Sequence, residues 1–159
     1  MIELRRARVD DASEMARIQV AATRSQAGDY YSEEQIEQLA SSDHGSENID
    51  HAVFDDDDYY TIIAEDDDEI VGFSIVRLDE RYLSGIFIDQ NYTGNGIGKN
   101  LIENVEKRSR RENIQSLETY AALNAVGFYE SCGFEIKEEI NTNEAESPDI
   151  PAIRMKKKI

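Results

Sequence analysis

Apolar positions along the chain follow two different periods. Alternating or unbroken β-rich runs occupy Ile2 to Arg8, Tyr59 to Ala64, Ile70 to Leu78, Tyr82 to Asp89, Ile114 to Tyr120, Phe134 to Ile140 and Ile150 to Lys156. Each reads as a strand. Helical spacing appears at Ala12, Met15, Ala16, Ile18 and Val20 behind Asp10, an N-cap type of residue, which predicts a helix to about Ser25. Ser32-Glu33-Glu34-Gln35 has the capping-box form and opens a second helix, Glu33 to about Ala40. Ile97, Leu101, Ile102 and Val105 share one face of a third helix, Ile97 to Glu112, and turn that face to the sheet. Ala125 to Ser131 is a short fourth helix, with Gly133 as its stop.

The connections constrain the sheet. An acidic turn joins Tyr59–Ala64 to Ile70–Leu78, so these form a hairpin. A helix joins Tyr82–Asp89 to Ile114–Tyr120, so these are parallel. Phe134–Ile140 and Ile150–Lys156 close the sheet as an antiparallel pair. Ser41 to Asp50 is polar and reads as a loop, with a short helical turn near Ile49 to Phe54. Asn141 to Pro148 reads as a long, mobile polar linker. No repeat or boundary interrupts the pattern, so residues 1–159 are expected to form a single domain.

Composition narrows the setting. A 40% hydrophobic content is enough for a core in a chain of 159 residues. No apolar run of about 18 residues exists to span a membrane. Ile2 to Asp11 is charged throughout and does not read as a signal peptide. The one cysteine, Cys132, excludes an internal disulfide and fits a reducing cytoplasm. Acidic residues number 34 against 17 basic ones, a net charge of −17. This disfavours nucleic acid. The acid is spread along the chain, as on a cytoplasmic protein of a salt-accumulating halophile; the alternative is recruitment of a cationic substrate.

Chemistry concentrates after the strand Tyr82–Asp89. Thr93-Gly94-Asn95-Gly96-Ile97-Gly98-Lys99 places three alternate glycines where a strand becomes a helix. Glycine permits positive φ and close approach of a ligand to the backbone. The first N–H groups of a helix lack intrahelical acceptors and sit at the positive end of the dipole. Together they suit a pyrophosphate. The plain alternative is a turn punctuated by glycine. The spacing fits neither the dinucleotide fingerprint nor the P-loop. Lys99, Lys107, Arg108, Arg110 and Arg111 form a local cationic patch, of which Lys99 is the expected phosphate neighbour and the rest are surface.

This loop resembles the acyl-CoA-binding loop of the GNAT superfamily of N-acetyltransferases. That loop runs Gln or Arg, two residues, Gly, one residue, then Gly or Ala. Here Thr93 stands at the first position, without the charge or reach of Arg. Ala125-Val126-Gly127-Phe128-Tyr129-Glu130-Ser131-Cys132-Gly133-Phe134 resembles the family's later A-x-x-F-Y-E-x-x-G-F segment, in the expected order and place. Ile2 to Ala7 with Asp10-Asp11-Ala12 resembles its opening strand and helix start. Asp29 to Ile36 looks like the second-helix entry of one group of small members. Ala122 stands where the family often has Asn, and Asn124 is out of register.

The resemblance implies an α+β fold: a mixed, mostly antiparallel twisted sheet of about six or seven strands, flanked by about four helices. Its central parallel pair would splay. It implies transfer of an acetyl group from acetyl-CoA, without a metal, to an amine of a small molecule or protein, by direct attack in a ternary complex. Pantetheine would bond the backbone of Phe87 and Ile88, and a backbone N–H there would polarise the thioester. The pyrophosphate would sit on Thr93, Gly94, Asn95, Gly96, Ile97, Gly98 and Lys99. Tyr129 would be the general acid for the departing thiolate, against the alternative of a core aromatic beside Phe128. Glu65, Asp79 and Glu80 are near strand ends but are read as solvated, so no base is named, and a water relay serves equally. His44 and His51 make no metal pair. Cys132 has no implied partner for a nucleophilic role. Partners are then acetyl-CoA and an amine, with no nucleic acid or membrane, and a homodimer remains open. The departures at Thr93 and Ala122 keep a second class in view, a non-catalytic acyl-CoA-binding module.

Overall fold

The computed structural model describes residues 1–40, 49, 58–142 and 149–159. Seven strands build one sheet: β1 (Ile2–Arg6), β2 (Tyr59–Asp66), β3 (Glu69–Arg77), β4 (Tyr82–Ile88), β5 (Ser116–Ala122), β6 (Glu135–Asn141) and β7 (Pro151–Lys158). Their spatial order is β1-β2-β3-β4-β5-β7-β6. All neighbours are antiparallel except β4 and β5. Four α-helices accompany them among the described residues: α1 (Ala12–Gln26), α2 (Glu33–Leu39), α3 (Ile97–Arg111) and α4 (Val126–Ser131). This is the expected α+β sheet. The loop expected at 41–50, the turn at 49–54, His44, His51 and most of the 141–148 linker lie outside the described residues; Ile49 is described and buried.

The β2–β3 hairpin turns on Asp67 and Asp68, both at positive φ (49° and 68°). That is the backbone of a two-residue hairpin turn whose twist matches the strands. Aspartate tolerates it better than most residues because its short side chain bonds locally. β2 and β3 are apolar on both faces, since helices cover both sides. Ile63, Phe73 and Ile75 pack with Met15 and Ile18 of α1 on one face. Ile62, Val71 and Val76 join Leu101, Val105, Leu117 and Met155 on the other, beneath α3 and α4. The edge strand β6 carries Glu135, Lys137, Glu138 and Glu139, all exposed, which discourages pairing with another chain.

The start of α1 differs from expectation. β1 stops at Arg6, and a 3-10 turn, Val9–Asp11, precedes the helix. The N-cap position falls on Asp11, not Asp10. Asp11 is buried. Its Oδ2 accepts from the Arg8 N–H at 2.7 Å, and both its oxygens accept from the Arg5 guanidinium at 2.8 Å. An aspartate with two such partners occupies the inward position, which leaves Asp10 in solvent. The capping box of α2 forms as expected: Gln35 N–H donates to Ser32 Oγ at 3.2 Å, and Ser32 N–H to Gln35 Oε1 at 2.9 Å. Tyr31, at the α1–α2 corner, donates to Pro151 O at 2.6 Å and accepts from Leu123 N–H at 3.0 Å. It thereby ties that corner to the end of β5.

Candidate active site

The sheet opens at its centre. β4 and β5 pair only at Tyr82↔Glu118 and Leu83↔Thr119, although both strands continue. β4 changes register against β3 at this point: Val76 faces Leu83, but Ile75 faces Gly85, so Ser84 is an extra residue. Such a bulge bends its strand. The Thr119 hydroxyl donates to Leu83 O at 2.9 Å, and a side chain thus takes the carbonyl where the ladder stops. β5 keeps its full pairing with β7, so the gap is a wedge between two well-anchored strands.

The bulge also fixes which way β4 side chains point. Leu83, Ile86 and Ile88 face the α3 side. Phe87 faces the α1 side and packs on Phe73 at 5.3 Å between ring centroids. Gly85 lets the Phe87 ring lie on the backbone, because a Cβ there would stand 2.8 Å from Phe87 Cε2.

Two cavities flank the wedge. One, of about 490 Å³, runs over the glycine loop and is lined by Ile88, Thr93, Gly94, Gly96, Ile97, Gly98, Lys99 and Phe128, among others. The other, of about 350 Å³, lies under α1 and is lined by Ser84, Gly85, Phe87, Tyr82 and Tyr120, among others. They meet at Gln26, Ile86, Asn124, Ala125 and Tyr129, which border both.

At the glycine loop, Gly94 and Gly96 hold φ of +83° and +77°, and a Cβ on either would meet no atom within 4 Å. α3 starts behind Gly96, which offers no capping side chain. The first intrahelical bond is Asn100 N–H to Gly96 O at 3.1 Å, so the N–H groups of Ile97, Gly98 and Lys99 precede the ladder. No acidic residue sits in this first turn. The donors are free, the dipole is positive and Lys99 is the one cation of the patch that borders the cavity. Arg108 and Arg110 lie at the other end of α3, against Glu112 and Glu106. Such a site fits an anionic phosphate group. Thr93 Oγ1 donates to Gln90 O at 3.1 Å, and Asn95 Nδ2 to Tyr92 O at 3.0 Å. These two side chains hold the loop's shape.

Tyr129 stands at the junction with 4% exposure. Its ring meets Phe128 and Phe134 edge-on at 5.3 and 5.4 Å. Burial pushes its phenol up to about 12, partly offset by the Thr119 hydroxyl beside it. Tyr129 is therefore a core aromatic whose phenol stays protonated beside the wedge. Tyr82 is raised too, by burial first and then by Tyr120 and Tyr129. Glu65 pairs with Arg5 at 2.9 Å, and Asp79 and Glu80 pair with Arg77 at 3.5 and 3.2 Å. None of the three carboxylates borders either cavity. Cys132 is a free, half-buried thiol just past α4.

The sequence reading missed several residues here. Tyr82, Tyr120, Ser84 and the α1 side chains Gln19, Thr23 and Gln26 line the cavities without belonging to any motif. Asn124 borders both cavities, and its buried Oδ1 has no hydrogen-bond partner.

Comparison with known proteins decides the family. The family model described as Acetyltransferase (GNAT) domain matches residues 27–159. The chain belongs to the GNAT acetyltransferase family. It is an acyltransferase. Two solved structures resemble this acetyltransferase over nearly its whole length, and a third over two thirds of it. A GCN5-related N-acetyltransferase from Rhodopseudomonas palustris aligns at TM-score 0.88 and 25% identity, over 99% of this chain and 95% of that one. The PaiA N-acetyltransferase from Thermoplasma acidophilum, solved with coenzyme A, aligns at 0.81 and 23% identity, over 100% and 99%. An acetyltransferase structure from Bacillus anthracis, solved with acetyl coenzyme A, aligns at 0.60 and 23% identity, over 66% and 65%. Among curated proteins, none matches this sequence. No helix among the described residues of the acetyltransferase is long and apolar enough to cross a membrane.

Proposed function

We propose that this acetyltransferase moves an acetyl group from acetyl-CoA to a primary amine of a small molecule or protein, by direct attack in a ternary complex. The observation that carries this reading is the meeting of two cavities at a wedge in the sheet, with Tyr129 at the junction. The larger cavity has free helix N–H groups and Lys99 for a diphosphate. Beyond Leu83 the β4 edge facing β5 carries no ladder, so an extended amide arm has strand-like partners there, including Phe87 and Ile88. The second cavity brings an acceptor to the same point from the α1 side.

In the step, the amine nitrogen forms a bond to the thioester carbonyl carbon and the C–S bond breaks. A β4 backbone N–H stabilises the oxyanion that develops between these events. The Tyr129 phenol gives its proton to the departing thiolate, and solvent returns one to Tyr129. The amine gives its proton to a water relay; Glu65, Asp79 and Glu80 border neither cavity. The same reading keeps residues 1–159 as a single domain in a cytoplasmic protein.

The test combines calorimetry of acetyl-CoA binding with thiol release across an amine panel. Binding with amine-dependent release supports the reading. Tight binding with no release for any amine would leave the alternative of a binding module, suggested by Thr93 and Ala122.

A further inference from the structure

We infer that the α1-side cavity selects a primary amine carried on an uncharged, ring-bearing body. The inference rests on the amine-acceptor reading and narrows it. The cavity, about 350 Å³, lies at the small end of the range for ligand pockets and suits one ring with a short tail.

Its wall is aromatic. Tyr82 and Tyr120 meet edge-to-face, centroids 5.1 Å apart. Phe87, whose ring lies over Gly85, lines the same cavity. Alanines at 22, 121 and 122 leave the space between open. Rings stack or meet edge-on with such a wall at useful energy beyond area alone.

Its described wall is neutral. The chain has 34 acidic residues, yet among the described residues no charged side chain lines this cavity. Its polar side chains are Gln19, Thr23, Gln26, Ser84, Asn124, Thr142 and the phenols. A second ammonium, or a carboxylate on the substrate, would lose water there without gaining a counter-charge. At the junction, the Asn124 side chain borders the cavity without bringing a charge. The acidic surface would favour polycations in the approach, but the wall of the cavity discriminates at the end of it.

The experiment uses the full chain with saturating acetyl-CoA and four amines: phenethylamine, propylamine, putrescine and free phenylalanine. Propylamine removes the ring, putrescine replaces it with a second ammonium, and phenylalanine adds a carboxylate. The expected kcat/KM for phenethylamine exceeds each of the others by roughly ten-fold or more, the scale of one lost apolar or one unpaired polar interaction. Gln19→Glu places a carboxylate on the half-buried α1 wall and should raise the putrescine to phenethylamine ratio by about five-fold or more. Wild-type preference for putrescine or phenylalanine over phenethylamine overturns the inference alone. No transfer to any of the four or to a lysine peptide, with acetyl-CoA still bound by calorimetry, overturns the amine-acceptor reading beneath it.

Discussion

Gly98 and Phe128 lie so close that a Cβ on Gly98 would stand 2.8 Å from Phe128 Cε1. Gly98 is helical, so its glycine answers to packing. Gly94 and Gly96 answer to backbone conformation instead, at positive φ beside open space. One glycine-rich loop thus carries two separate constraints. Gly98→Ala should destabilise the protein by about 1–3 kcal/mol, the usual cost of overpacking. Phe128→Leu in the same chain should recover part of that loss. Urea unfolding measures both, and an unchanged midpoint in the single variant would mean that the ring moves aside without cost.

Gly96→Asp should abolish acetyl-CoA binding in a folded protein. Gly96→Ala shares the left-handed strain, about 1–2 kcal/mol, but adds no charge. The difference between the two variants isolates repulsion of the pyrophosphate. Calorimetry should show at least about a ten-fold gap, or 1.4 kcal/mol, between them. Equal affinities for wild type and both variants would remove this loop as the phosphate site.

Tyr129→Phe keeps the ring contacts with Phe128 and Phe134 and removes one oxygen. Acetyl-CoA affinity should stay near normal, while kcat falls by roughly ten- to a thousand-fold. Burial raises the phenol from 10.0 to about 12, so its proton stays on through pH 10. Below pH 10 the rate should therefore show no base-side fall due to this group. Equal kcat for the two proteins, with chemistry rate-limiting, would assign Tyr129 to the core alone.

Asp11 binds Arg5 through both oxygens and, with Glu65 on the same guanidinium, links β1, β2 and the start of α1. Arg5 holds the carboxyl below its ordinary 3.8, against burial that acts the other way. A depressed acid stabilises the fold fully above its unfolded value and loses that contribution as pH falls through the folded one. Asp11→Asn should cost about 1–3 kcal/mol at neutral pH. The gap from wild type should close below about pH 4. A gap that persists unchanged to pH 2 would point to shape rather than charge.

Salt should raise the melting temperature. Raising KCl from 0.1 M to 1 M shortens screening from about 10 Å to about 3 Å. It weakens exposed pairs such as Arg17–Glu14 and Arg108–Glu112, each worth about 1 kcal/mol at most. It also relieves repulsion across a net charge of −17, the larger effect. A flat or falling melting temperature would count against the halophile reading.

The strands, the long helices and the glycine loop were legible along the chain, because each depends on local period and local backbone preference. Ile97, Leu101, Ile102 and Val105 all lie inward, as their spacing required. The parallel pair followed from one crossover helix. The splay came only with the family resemblance, and its cause, the extra residue Ser84, leaves no mark in the sequence. A bulge is set by what the neighbouring strand can pair with, and it reverses the facing of Ile86, Phe87 and Ile88 relative to Leu83. The acceptor cavity was equally hidden. Its wall joins α1, β4 and β5 residues far apart in the chain, and Tyr82 and Tyr120 meet only because the parallel register sets Tyr82 opposite Glu118, two residues before Tyr120. Asp11 rather than Asp10 turned inward because the local turn sets it against Arg5, six residues back, on a guanidinium that Glu65 of β2 also holds.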